Sequence, residues 1–261
     1  MIRRAPGGSA VLAAALLAAA CATAPPRPET LAATLWVQSA AEYEAAAEQI
    51  YRAATAALDR AAADSTWTAA LEQSGDRVAL PPAVIVDVDE TVLDNTPYEA
   101  WTIAEGEEFE PETWGAWVRA AEAEPVPGAL GFLREAVRRG ITVFYVTNRD
   151  HALEEATRRN LALHGFPLEE GRDVLLTRGE RQGWTGDKTS RRAAVADSFR
   201  VLLLVGDNLG DFVSADLPAA ERDALVRRHR DRWGEKWFLL PNPIYGSWEE
   251  AAELEAWSGP R

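Results

Sequence analysis

The sequence is poor in the side chains that form cross-links and soft-metal sites. Cys21 is the only cysteine, so no disulfide can form within the chain and no cysteine-based metal site is possible. The three histidines, His151, His164 and His229, share no ligand spacing, and we interpret them as surface or helix-end residues. Cysteine and histidine are therefore not expected as ligands of a metal site.

Positive charge is also scarce. Lysine and arginine number 27 against 41 aspartate and glutamate residues, which gives a net charge of −14. This balance argues against a nucleic acid polymer as partner, because a phosphate backbone requires a basic surface. A small phosphate ester would have to be attracted locally, by a cation or by a pocket of lysine and arginine side chains.

An apolar run near the N-terminus, Ala10–Ala20, is too short to cross a bilayer as a helix. It follows two arginines and is typical of a secretory signal core. Small residues, then Cys21 and a proline-rich stretch, resemble a bacterial lipoprotein signal, although Leu17 lies one place earlier than usual. We predict a signal peptide over 1–20, a tether over 21–30 and lipidation at Cys21. The alternative is an ordinary signal peptide that leaves a stray cysteine.

The rest of the chain, residues 31–261, is predicted to form a single α/β domain. Amphipathic spacing over Leu35–Ala63 predicts one long helix within a helical segment at 31–80. Five apolar runs then alternate with helical stretches, which indicates a parallel sheet with helices on both faces. The strands are expected at Ala83–Val86, Ile141–Val146, Val174–Leu176, Val201–Val205 and Trp237–Leu240. The helices between them are expected at Gly128–Arg139, His151–His164 and Ser190–Phe199.

Polar residues follow the strongest of these strands directly. The first strand is followed by Asp87 and Asp89, the second by Thr147 and Asn148, and the fourth by Asp207. Ligands of open parallel sheets bind beyond the carboxyl ends of the strands, so we expect these side chains to lie at one edge. Two further residues, Lys188 and Asp211, are expected to join them.

The expected cluster poses an electrostatic problem. Asp87, Asp89 and Asp207 in one cleft would repel one another and a phosphate dianion as well. A hard divalent cation such as Mg²⁺ removes both difficulties, since it prefers oxygen ligands and uses one or two carboxylates with the substrate phosphate. Lys188 can supply further positive charge, and Thr147 can supply a hydroxyl donor.

These motifs resemble the four signatures of the haloacid dehalogenase (HAD) superfamily. More narrowly, the chain resembles the class C acid phosphatases, which are bacterial outer-membrane lipoprotein 5′-nucleotidases. The matching segments are Leu35–Ser39 with Glu42 and Tyr43, Asp87–Asn95, Gly206–Leu209 and Leu240–Glu249. The resemblance implies a HAD-like Rossmannoid sheet with a small, mainly helical cap at about 96–127. It also implies a metal-dependent phosphomonoesterase acting on 5′-nucleotides and other phosphate monoesters.

The resemblance assigns roles to the acidic residues. Asp87 would be the nucleophile that forms an aspartyl-phosphate, and Asp89 would be the general acid and base. The metal would bind the carboxylates of Asp87 and Asp207 and the backbone carbonyl of Asp89. Asp211 would orient a metal-bound water or Lys188. The neighbouring Gly210 departs from the family pattern, in which an acidic residue is frequent.

The resemblance also indicates substrate contacts. Thr147 and neighbouring backbone N–H groups would hold the phosphoryl group, and we assign Asn148 to substrate binding as well. Family members hold the nucleoside base between two aromatic rings, which correspond here to Trp114 and Tyr245. The alternative is that both rings only pack. Arg149 could pair either with substrate phosphate or with a nearby acid.

The sequence is also compatible with two other functions. One is a broad acid phosphatase without nucleotide preference, and the other is a non-catalytic binding or storage protein on the same fold. The intact Asp87 and Asp89 argue against the second. The resemblance further implies export and a lipid anchor in the outer membrane, and Ala22 after the cysteine, rather than aspartate, fits that sorting.

Overall fold

The computed structural model describes residues 30–214 and 218–249. The predicted signal peptide, Cys21 and most of the predicted tether lie outside the described residues, as does the end of the predicted domain. Among the helices of the described residues, none combines the length and the apolar character that a membrane crossing requires.

The described part of the chain alternates between strands and helices. The strands are β1 (Pro82–Val86), β2 (Leu93–Asp94), β3 (Glu124–Pro125), β4 (Thr142–Asp150), β5 (Leu175–Arg178), β6 (Arg200–Gly206) and β7 (Trp237–Leu239). The helices are α1 (Leu31–Ser39), α2 (Ala41–Ala63), α3 (Thr96–Glu105), α4 (Pro111–Ala120), α5 (Ala129–Arg138), α6 (Glu154–His164), α7 (Thr189–Ala196) and α8 (Ala219–Arg228).

Five of the strands form one parallel sheet in the order β5-β4-β1-β6-β7. Strand β1 lies at its centre, so the loops after β1, β4 and β6 are neighbours at the carboxyl edge. This arrangement confirms the predicted α/β fold with a parallel sheet and helices on both faces.

The continuous apolar runs are explained by burial of both sheet faces. Along β1, Val84 and Val86 pack in a core with Leu58 of α2 and with residues of α5. Their neighbours Ala83 and Ile85 face the opposite core, which includes residues of α7 and β7. Strands covered on both faces have no polar side, so they show no period of two.

The prediction of one long N-terminal helix was wrong. The chain forms α1 and α2 with a break at Ala40, whose φ of −82° and ψ of 123° are extended. The break turns α1 towards α3, while α2 continues over α5 and the sheet. Alanine neither requires nor forbids such a turn, so tertiary packing determines the break and no glycine or proline signals it.

The segment between β1 and α5 contains the insert that was predicted to form a cap, and we keep that name for it. Strands β2 and β3 pair in antiparallel fashion, Leu93 with Pro125 and Asp94 with Glu124, and they bracket α3 and α4. This two-stranded ladder, which was not expected from the sequence, joins the two ends of the insert next to the site.

Candidate active site

A cavity of about 980 Å³ opens at the carboxyl edge of the sheet. It brings together all of the predicted site residues among the described residues except Thr147, which is fully buried beside it. The predicted residues in its lining are Asp87, Asp89, Trp114, Asn148, Lys188, Asp207, Asp211 and Tyr245. Four glutamates for which no role was predicted also line it, namely Glu99, Glu107, Glu108 and Glu249.

The loop after β1 presents both of its aspartates to this cavity. The backbone N–H of Asp87 donates to the carbonyl of Val205 at 3.0 Å and so extends the pairing of β1 with β6. The chain then turns through Glu90, which has a φ of 54°, a left-handed value that is uncommon for a residue other than glycine. The Glu90 carboxylate points to the backbone N–H of Asn95 at 2.8 Å instead of the cavity.

Three carboxylates form the acidic centre of the site. Oxygen atoms of Asp87, Asp207 and Asp211 lie within 4.8 Å of one another. Lys188 Nζ donates to Asp87 Oδ1 and, at 2.5 Å, to Asp211 Oδ1. One lysine therefore faces three carboxylates, and the excess negative charge suits a hard cation with oxygen ligands such as Mg²⁺.

The pKa values follow this arrangement. Burial raises the pKa of Asp87 well above its usual range; Lys188 opposes the shift, while the neighbouring carboxylates add to it. Burial, and then repulsion from Asp211, raise the pKa of Asp207 to about 6. Burial alone would lower the pKa of Lys188, but the charges of Asp211 and Asp87 raise it above its usual value.

A tight turn after β6 positions Asp211. Its Oδ2 accepts a hydrogen bond from the backbone N–H of Asn208 at 2.9 Å, and Asn208 Oδ1 accepts one from the Gly210 N–H at 3.2 Å. Gly206 leaves room for this turn, because a Cβ there would lie 2.4 Å from the Cβ of Asp211. Glycine at the end of β6 is thus a steric requirement of the site.

Asp207 is held by side chains from two other loops. Its Oδ2 accepts a hydrogen bond from Asn242 Nδ2 at 2.8 Å, and its Oδ1 accepts one from Thr91 Oγ1 at 3.3 Å. No role was predicted for Asn242, although it lies in a segment that matches the family. Its place beside Asp207 depends on the return of the chain after β7.

Asp89 is surrounded by donors from β4 and the cap. Its Oδ1 accepts hydrogen bonds from Arg149 Nε at 2.9 Å and Asn95 Nδ2 at 2.9 Å. Arg149 therefore pairs with an acidic side chain, one of the two roles that the sequence left open. The Thr147 hydroxyl lies 3.5 Å from Asp89 Oδ2, and its predicted contact with a phosphoryl group stays a prediction.

Asn148 is fixed by the loop before α7. Its Oδ1 accepts a hydrogen bond from Arg191 Nη2 at 2.6 Å, and its Nδ2 donates to the Gly186 carbonyl at 2.9 Å. Arg191, which is fully buried, also donates to the Thr147 carbonyl. This arginine had no motif to reveal it, and it joins the end of β4 to α7.

The two aromatic candidates reach the cavity from different parts of the chain. Trp114 of α4 is partly buried, contacts Tyr98 at 5.2 Å between ring centroids, and lies 5.5 Å from the Arg149 guanidinium carbon. Tyr245, from the segment after β7, is also partly buried and packs near Ile244. Both rings thus combine packing with exposure to the cavity.

The side chain of Asn95 takes part in the site, although Asn95 occupies the N-cap position of α3. Its side chain makes no capping bond, however; Asp94 Oδ1 instead accepts from the Thr96 N–H at 2.8 Å. The Asn95 side chain turns towards Asp89, because a partner from β4 and another from α4 hold it there.

The parallel sheet and the acidic cluster at its edge define a protein of the HAD class. Residues 9–248 match the sequence model described as HAD superfamily, subfamily IIIB (Acid phosphatase). The match covers most of the chain, and the protein belongs to this family.

Solved structures show the same likeness. The class C acid phosphatase of Bacillus anthracis is 34% identical with a TM-score of 0.72, covering 85% of this chain and 87% of that chain. Its tungstate-bound structure gives 33% identity and a TM-score of 0.74 over the same shares of the two chains.

A sequence relative gives a weaker match. Acid phosphatase 1 of Solanum lycopersicum is 28% identical over 164 residues, 62% of this chain. That match spans only 57% of the tomato protein.

Proposed function

We propose that the protein hydrolyses phosphate monoesters through an aspartyl-phosphate on Asp87. The observation that carries the proposal is the position of Asp87 in the cavity, with Lys188 on its carboxylate and Asp89 two residues later. Family membership and the class C acid phosphatase of Bacillus anthracis support the same chemistry.

In the proposed first step, an Asp87 carboxylate oxygen bonds to phosphorus while the bond from phosphorus to the ester oxygen breaks. Asp89 gives its proton to the departing oxygen. Asp89 then takes a proton from a water molecule, whose oxygen attacks the phosphorus, so that phosphate leaves and Asp87 is restored. Lys188 offsets negative charge throughout, and Thr147 with nearby backbone N–H groups would hold the phosphoryl oxygens.

We propose Mg²⁺ or another divalent cation as cofactor, held by the Asp87 and Asp207 carboxylates and the Asp89 carbonyl. When bound, it supplies positive charge next to the transferring phosphoryl group. The three carboxylates facing one lysine, of which Asp87 and Asp211 are buried, support this proposal. Chelation should abolish turnover and added Mg²⁺ should restore it. Full activity after exhaustive chelation would contradict the metal requirement.

The substitution Asp87→Asn tests the nucleophile. An amide cannot form the acyl phosphate, so turnover of p-nitrophenyl phosphate should vanish while the folded structure persists. Asp197→Asn is the matched control, because Asp197 is an exposed residue at the end of α7. Wild-type turnover by Asp87→Asn would reject the mechanism.

For the substrate class, we propose 5′-nucleotides held between Trp114 and Tyr245. Both rings line the cavity that contains Asp87, which supports the clamp. Stacking on a base contributes ~1–3 kcal/mol per ring and tolerates different bases. Stacking would also orient the ester oxygen, so binding energy would appear as a rate gain.

Trp114→Ala and Tyr245→Ala should each lower kcat/KM for a 5′-nucleotide by about tenfold, with a much smaller loss on p-nitrophenyl phosphate. Trp101→Ala is the control, since Trp101 is an exposed ring of the same cap and does not line the cavity. Equal losses on both substrates would indicate damaged packing and favour an acid phosphatase without nucleotide preference.

We propose export and a lipid anchor on Cys21, as the N-terminal sequence and the family resemblance suggest. Two or more acyl chains give stable membrane attachment, whereas one gives marginal binding. Cys21→Ser should move phosphatase activity from the membrane fraction to the soluble periplasmic or secreted fraction. Identical fractionation of wild type and variant would reject the anchor.

A further inference from the structure

We infer that Arg149 and Asn95 position the general acid by occupying one oxygen of Asp89, Oδ1, and so direct the other, Oδ2, to the ester oxygen of the substrate. The inference rests on the proposed function, in which Asp89 transfers the proton. Arg149 and Asn95 are positioning residues here, since they act through Asp89.

The two oxygens of Asp89 have very different surroundings. Oδ1 accepts hydrogen bonds from Arg149 Nε at 2.9 Å and from Asn95 Nδ2 at 2.9 Å, and Arg149 Nη2 lies 2.8 Å from it in an ion pair. Oδ2 has, within the described residues, only the long contact with the Thr147 hydroxyl at 3.5 Å. With two hydrogen bonds and an ion-pair contact, Oδ1 has no open direction for a proton, so the proton that Asp89 transfers is carried on Oδ2.

The other hydrogen bonds of Arg149 hold its guanidinium group in this orientation. Its Nη1 donates to Thr157 Oγ1 at 3.2 Å, and its Nη2 also donates to Asn95 Oδ1 at 3.2 Å. Every guanidinium nitrogen therefore has a protein acceptor, and the side chain is only 1% exposed. A planar fork with an acceptor at each of its nitrogens fixes the orientation of the carboxylate.

The orientation of the Asn95 amide is also determined. Its Oδ1 accepts from Trp117 Nε1 at 2.9 Å as well as from Arg149, and both partners can only donate. The Nδ2 group must then face Asp89. Trp117 belongs to α4, as does Trp114, whose ring lies 5.5 Å from the Arg149 guanidinium carbon. The cap helix thus completes the network around Asp89.

Leaving-group dependence separates positioning of an acid from simple support of the fold. An alkoxide requires a proton to depart, whereas 2,4-dinitrophenolate leaves without one. The quantity to compare is kcat/KM for dinitrophenyl, p-nitrophenyl, phenyl and small alkyl phosphates. This quantity reports the step in which the ester oxygen leaves.

We expect Arg149→Met and Asn95→Leu to lower kcat/KM for the alkyl ester at least about tenfold more than for the dinitrophenyl ester, because general acid catalysis contributes a factor of about 10²–10⁴. Trp117→Phe removes one N–H and keeps a ring, so a selective loss of about fivefold is expected from one hydrogen bond. Arg149→Lys keeps the charge and should recover part of the loss.

Arg200→Met is the matched control. Arg200 is another buried arginine, but it donates to backbone carbonyls at the end of α2, including that of Ala61 at 3.0 Å. Removal of the Arg200 side chain should lower the free energy of unfolding and should change kcat/KM equally for all esters. If Arg149→Met fails to fold, the leaving-group dependence of kcat/KM in the Trp117→Phe protein is sufficient to test the inference.

Two reference variants separate this inference from the proposed function. An active Asp87→Asn protein would reject the chemistry itself, and an Asp89→Asn protein without leaving-group dependence would overturn the general acid and this inference together. If Asp89→Asn shows the dependence while Arg149→Met, Asn95→Leu and Trp117→Phe lower kcat/KM equally on all esters, the positioning role alone is wrong.

Discussion

Replacement of Lys188 by methionine tests the charge balance of the acidic centre. Lys188 Nζ donates to Asp87 and Asp211, and all three side chains are less than one tenth exposed. Methionine preserves most of the length but none of the charge, which leaves the carboxylates without a counter-charge. Truncation of one partner of a buried ion pair costs about 3–5 kcal/mol, so we expect a loss of that size from the free energy of unfolding.

The size of this loss should depend on pH and on metal. Burial and neighbouring carboxylates raise the pKa of Asp87 in the folded protein, so the folded state binds protons that the unfolded chain has released. Stability is then greatest below the unfolded pKa and falls as the pH rises through the folded one. The Lys188→Met protein should therefore regain stability as the pH falls below neutral, and Mg²⁺ should have the same effect at neutral pH.

Urea unfolding followed by circular dichroism measures these differences, in chelator at neutral and acidic pH and again with Mg²⁺. Lys236→Met is the control, because Lys236 lies over the Trp67 ring at 4.6 Å, outside the cavity, and should lose only about 1 kcal/mol. A Lys188→Met protein as stable as wild type in chelator at neutral pH would refute the reasoning.

Two further predictions concern the same centre. Metal-free wild type should lose stability as pH rises through about 6, where the folded-state pKa of Asp207 lies, and thermal unfolding of Asp207→Asn in chelator should show a smaller slope over this range. Gly206→Ala should destabilise by about 1–3 kcal/mol, since the new Cβ would lie 2.4 Å from that of Asp211. Gly131→Ala in α5, where a Cβ meets open space, should be neutral or stabilising in the same unfolding measurement.

The sheet could be predicted because its strands are buried on both faces and are therefore continuously apolar. The shorter features could not. Each strand of the β2–β3 ladder has two residues, too few to show any period. The break at Ala40 carries no glycine or proline, and its cause is the packing of α1 against α3, which local sequence does not encode.

The acidic part of the site was predictable for a related reason. Asp87 and Asp207 directly follow apolar runs, and parallel strands place their carboxyl ends together. The residues around Asp89 lack such a signal. Asn95 is bonded by residues 22 and 54 positions away, and its own position before a helix is typical of a cap. Only the folded chain shows that its amide turns to the carboxylate.

Helix α4 of the cap therefore contributes both to the lining of the cavity and to the hydrogen bonds around Asp89. Trp114 lines the cavity, and Trp117, three residues later on the same face of α4, donates to Asn95 in the network that holds Asp89. In the proposed mechanism, a shift of α4 that accommodates a different substrate also displaces Trp117. The hydrogen bonds that position the general acid Asp89 then change as well. Specificity and proton transfer are then coupled through the helix, because residues three apart in a helix move together. Variation of substrate preference without loss of rate requires changes elsewhere in the lining. Tyr245 approaches from the segment after β7 and, among the described residues, shares no hydrogen bond with this network.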